Sequence, residues 1–148
     1  GLGDVYKRQH LTHPERLDTV MGCVSDKFRS GVVIPHWCMK LFINAYTTPG
    51  TDMNDPRLSP IFYDASKFPK YVAVACGDAD TLYRMSFDLM KKISGSASGT
   101  NVDGSRKFIC VPNEAHEFNT FGRTRASQEE RDRVEGEAIN MIRASWRQ

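Results

Sequence analysis

The sequence predicts an α/β fold built on a parallel sheet, and two observations carry that class. Tyr71-Val-Ala-Val-Ala-Cys76 and Lys107-Phe-Ile-Cys-Val111 are short apolar runs without alternation, the pattern of strands buried on both faces. Between them Leu82, Met85, Leu89 and Ile93 recur at helical spacing. Strand, helix, strand in this order is a βαβ unit, which implies parallel strands and a right-handed crossover.

Composition agrees with that class. The chain has 148 residues, 40% of them hydrophobic and 26% charged, which excludes a disordered tail, a fibre and a disulfide-dense scaffold. Twenty Lys and Arg stand against 18 Asp and Glu, a net charge of +2 that gives no reason to expect a nucleic-acid or membrane-surface partner. The apolar runs are too short to span a bilayer.

The elements follow in chain order. Asp4-Val-Tyr-Lys-Arg-Gln9 resembles the translation of a transposase sequencing adaptor, so residues 1–9 are expected to be a non-native scar outside the fold. Pro14 sits at the first turn of a short helical stretch with Leu17, Val20 and Met21. Pro35 opens a stronger helix to about Tyr46. Its two apolar rows, Trp37/Leu41/Ala45 and Cys38/Phe42/Tyr46, predict burial over a wide arc. Residues 47–60 are rich in Thr, Pro, Gly, Asn and Asp and read as a loop.

After the first strand, the central helix ends on Lys91 and Lys92, with Gly95 as its cap. Gly95–Ser105 is Gly/Ser/Asn-rich and is expected to be a loose surface loop. The last helix is predicted to start at the capping box Ser127-Gln-Glu-Glu130, with Val134, Ala138, Met141, Ile142 and Ser145 along one face. Four cysteines, Cys23, Cys38, Cys76 and Cys110, show neither CxxC spacing nor histidines at zinc-finger distance. They read as unpaired thiols, with Cys76 and Cys110 in the core. No metal and no cofactor is expected.

Two polar residues stand out by position. Asp80 follows the first strand and His116 follows the second, where ligand sites form in open parallel sheets. Neighbouring strands lie roughly 5 Å apart, so the two loops can bring the side chains together. A carboxylate accepting the Nδ1 proton of a histidine fixes its tautomer and favours the imidazolium, which is the acid–base half of a catalytic triad. Singly, Asp80 reads as a helix cap and His116 as a surface histidine; together they favour a site. The expectation is that they lie at one sheet edge within hydrogen-bond reach, while Asp78 points elsewhere.

The surrounding motifs add a resemblance. Val72-Ala-Val-Ala-Cys-Gly-Asp-Ala-Asp-Thr-Leu82 resembles the acid-bearing segment of the alpha/beta hydrolase fold-3 family, the hormone-sensitive-lipase-like and arylacetamide-deacetylase-like esterases. Val111-Pro-Asn-Glu-Ala-His-Glu-Phe118 resembles that family's histidine segment, and Asp55-Pro-Arg-Leu-Ser-Pro60 its Asp-Pro and Ser-Pro stretch. Trp37 and Tyr46 are similar to its aromatic helix, so the resemblance covers about Pro35 to Trp146.

The resemblance implies that residues 10–148 are the C-terminal, incomplete portion of one alpha/beta-hydrolase parallel sheet with flanking helices. It also implies a hydrolase acting on small-molecule carboxylic esters or amides, with Asp80 and His116 as its catalytic acid and base. That fold places a serine on a GxSxG turn upstream, and no GxSxG occurs here. Gly95-Ser-Ala-Ser-Gly99 has alanine at the nucleophile position, and an HGGG-type oxyanion segment is absent. Glu117 replaces the family's common glycine. The chain alone is expected to be inactive.

Two other readings compete. Asp78-Ala-Asp80-Thr resembles the Asp-x-Asp of metal-dependent phosphatases or glycosyltransferases, where paired carboxylates hold a divalent cation. A non-catalytic ligand-binding member of the hydrolase fold would keep the pocket and lose the triad. Compartment, oligomeric state and acyl specificity stay open at this level.

Overall fold

The computed structural model describes residues 41–42, 44–80, 82–116, 118 and 125–147. Their centre is a parallel pair of strands, β1 (Val72–Gly77) and β2 (Arg106–Val111), joined through helix α1 (Tyr83–Ser94). Helix α2 (Arg125–Trp146) follows. The register runs from Val72 opposite Arg106 to Gly77 opposite Val111, so both strands end at the same edge. This is a mixed α/β unit with a two-stranded parallel sheet.

The core forms because period-two strands and a period-3.6 helix present apolar faces to each other. On one sheet face Val72, Cys76 and Phe108 pack with Leu82, Met85, Leu89, Met90 and Ile93 of the α1 segment. Leu89 and Met90 are fully buried, and burying each such side chain contributes about 1.5–3 kcal/mol relative to exposure. Phe87, Tyr83 and Phe108 add ring contacts at centroid separations of 5.1–6.3 Å. Ile109 and Val111, one position out of phase, are buried as well.

Long cationic side chains tie the periphery to this core. Arg106 donates to the carbonyl of Ile93 at the end of α1 and, at 3.3 Å, to that of Phe68. Lys92 donates to the carbonyls of Ile61 and Tyr63, holding the short 3-10 turn Pro60–Phe62 against α1. Helix α2 is joined to β2 by the Lys107–Glu137 ion pair at 2.8 Å and by Arg133 donating to the Cys110 carbonyl.

Gly95 caps α1 as the sequence predicts, with φ +68 and its N–H on the Lys91 carbonyl. Four other expectations change. Residues 41–42 and 44–46 are helical, yet Leu41, Phe42, Ala45 and Tyr46 are exposed, because apolar spacing marks a face fit for burial and does not supply its partner. The strands are not buried on both faces throughout: Ala73 and Cys110 are exposed, so Cys110 is not a core thiol, whereas Cys76 is.

The Gly95–Ser105 loop is not loose. The Phe108 N–H donates to the Gly99 carbonyl, Asn101 Oδ1 accepts from the Arg106 N–H, and Ser96, Ser98 and Thr100 bond among themselves. Gly99, at φ +73, is buried where a Cβ would meet the Phe108 Cβ at 3.0 Å and the Phe87 ring at 3.2 Å. Helix α2 starts at Arg125, two residues ahead of the predicted box, and Ser127 is buried in its first turn. The expected scar at 1–9, the stretch after Pro14, and Trp37, Cys38 and Cys23 lie outside the described residues. Among the described residues no helix is long and apolar enough to cross a membrane.

Candidate active site

The site grows out of the two loops that leave the carboxyl ends of β1 and β2. After Gly77 the first loop turns at once, with the Asp80 N–H on the Gly77 carbonyl at 3.1 Å. Asp80 opens α1: its Oδ1 accepts from the Leu82 N–H at 2.8 Å and its carbonyl from the Tyr83 N–H at 3.1 Å. That Asx turn satisfies amides that the start of a helix otherwise leaves without partners. It also locks the carboxyl group, leaving Oδ2 to face the second loop.

There Oδ2 lies 2.9 Å from His116 Nδ1. Asp80 is 6% exposed and the His116 side chain 20%, so the pair is shielded but reachable. Nδ1 is the donor in this contact, since an ionised carboxylate only accepts. The helix N-cap is Leu82 and not Asp80, whose Oδ1 holds the turn just ahead of α1 while Oδ2 meets the histidine.

Asp78 points elsewhere. Its Oδ1 accepts from the Asn113 N–H at 2.7 Å, and its own N–H donates to the Val111 carbonyl at 3.1 Å. The two buried carboxylates thus serve different partners and do not converge. Among the described residues no group of three or more His, Cys, Asp or Glu is placed to hold a metal ion. The chain matches no protein-family model, no curated protein and no solved structure.

Four neighbours were not singled out as site residues from the sequence. Gly77 lies under the second loop: a Cβ there would stand 2.1 Å from the Glu114 carbonyl oxygen. A glycine at the end of an apolar run is the available signal for such an approach. Cys76 and Ser86, both buried, sit beneath Asp80. Burial holds the Cys76 thiol well above its ordinary value of 9.0, the nearby Asp80 carboxylate adds to this, and a hydrogen bond with Ser86 opposes it. The thiol stays protonated and so presents a donor to the carboxylate. Tyr83 is pushed up to about 12, first by burial and then by Cys110, so its hydroxyl is a neutral group beside the site.

The arrangement can move a proton. A histidine held through Nδ1 by a buried carboxylate keeps Nε2 as the basic nitrogen in its neutral form. When Nε2 takes a proton, the carboxylate stabilises the resulting imidazolium.

Proposed function

We propose that Asp80 and His116 are the acid and base of a Ser-Asp-His esterase of the alpha/beta hydrolase fold-3 type, of which this sequence forms the C-terminal part. The observation that carries this reading is the 2.9 Å contact between Asp80 Oδ2 and His116 Nδ1 at the carboxyl edge of two adjacent parallel strands. The divergence of Asp78 and Asp80 favours it over a metal-binding Asp-x-Asp, which needs both carboxylates on one cation.

The chemistry follows from the pair. His116 Nε2 accepts the proton of a serine hydroxyl as its oxygen bonds to the ester carbonyl carbon. The tetrahedral intermediate collapses as the C–O bond to the alcohol breaks, and His116 returns the proton to the departing oxygen. A water molecule repeats both steps and releases the acid. Asp80 stays ionised throughout and keeps the ring oriented. In this reading the serine and its oxyanion donors belong to sequence preceding this chain.

The test uses the full-length natural protein. It should hydrolyse p-nitrophenyl acetate and be labelled on a serine by a fluorophosphonate. His116→Ala and Asp80→Asn should each lower kcat by about 10³–10⁴-fold, the range seen when triad members are removed. A protein that takes no fluorophosphonate, or that hydrolyses p-nitrophenyl phosphate only with added Mg²⁺, would overturn the assignment.

A further inference from the structure

The Val111–His116 loop carries His116 through an unusual stretch of backbone. Pro112 lacks an N–H, and Asn113 sits at φ +59, in the left-handed region that asparagine tolerates better than most residues. The loop bonds directly to the other loop. Asp78 Oδ1 takes the Asn113 N–H at 2.7 Å, the Ala79 N–H donates to the Glu114 carbonyl at 3.0 Å, and Gly77 leaves room for that carbonyl. Three consecutive residues, 77 to 79, thus meet Asn113 and Glu114, three and two residues ahead of His116.

From this geometry we infer that Asp78 is a positioning residue, whose carboxylate anchors the turn at Asn113 and so sets His116 against Asp80. It is not a catalytic residue, because it acts through the backbone of the second loop. The inference rests on the reading of Asp80 and His116 as an acid–base pair. Asp78 is 8% exposed, and a buried acceptor without its donor is costly, which makes the anchored arrangement the stable one. A 2.7 Å N–H···O⁻ contact belongs to the stronger class of hydrogen bonds. The separation in roles is geometric: Asp80 meets the histidine side chain, and Asp78 meets the peptide unit three residues before it.

Two measurements on the full-length natural protein test this. Hydrogen exchange read by mass spectrometry over 112–118 follows the Asn113 amide, and the low-field proton resonance of a carboxylate-bound imidazole follows the pair. Asp78→Ala should speed exchange at Asn113 by about 10-fold or more. It should also abolish the imidazole signal while α1 amides stay protected. Asp78→Asn keeps an acceptor oxygen at the same place and should restore both readouts. Asp78→Ser, whose hydroxyl is one bond too short, replaces the alanine variant if that one fails to fold.

Retention of the imidazole signal in Asp78→Ala or Asp78→Ser would overturn the inference. So would an Asp78→Asn variant that behaves like alanine, since charge and not anchoring would then matter. A parent signal that Asp80→Asn leaves unmoved would instead overturn the reading of the pair, and exchange at Asn113 would still decide the anchor.

Discussion

Asp80 does two jobs with two oxygens, one on the Leu82 N–H and one on His116. The buried Cys76 thiol near it and the Tyr83 phenol near Cys110 are both raised, each first by desolvation. A raised acid keeps its proton in the folded state when the unfolded chain has released it. Stability must therefore fall as pH rises through the ordinary values, from about 9 for the thiol and 10 for the phenol. Urea titrations at pH 7 and pH 10.5 should give a lower midpoint at the alkaline pH, with Cys76→Ala shrinking the difference. Equal midpoints would contradict the burial argument. The positions of Asp80 and His116 were legible because each follows an apolar run by a few residues. The contact of Gly77 with the second loop was not, since it depends on where a distant backbone passes.

At the scale of elements, α1 is the piece on which the rest depends. Its buried face of Met85, Leu89, Met90 and Ile93 meets the sheet, and Lys91, Lys92 and Gly95 finish it. Leu89→Ala removes atoms from a fully enclosed position and should cost about 2–5 kcal/mol, read from chemical denaturation. A loss below about 1 kcal/mol would mean the core collapses around the gap. Strand and helix types were readable here because period and cap chemistry agree. The Gly95–Ser105 loop was misread for a physical reason: composition reports flexibility of the free chain. The order of the folded loop comes from Phe87 and Phe108 closing on Gly99, a tertiary contact.

For the whole molecule, apolar surface is the dominant feature. Among the described residues β1 and β2 pair only with each other, and two parallel strands leave hydrogen-bonding edges open. Leu41, Phe42, Tyr46, Phe62 and Tyr63 are exposed, as are Ile139, Ile142 and Trp146, which fall on one stripe of α2. The 148-residue chain should therefore self-associate as its concentration rises, which sedimentation velocity would show as a growing fast fraction. A monodisperse monomer with a cooperative thermal transition would contradict this. Net charge and composition foretold a globular chain with a core. They were silent on its uncovered surface, because periodicity tells which residues seek a partner and not whether one is near.

The turn Asn101–Gly104 lies at the end of the sheet remote from Asp80 and His116. It is closed by the Gly104 N–H on the Asn101 carbonyl, with the Val102 side chain fully in solvent. Its base is pinned by Asn101 to Ser105 and Arg106, so the tip can change while the base stays put. That makes position 102 a handle: a short epitope or a fluorophore grafted there would ride on the ordered unit without reaching Asp80 and His116 at the opposite edge.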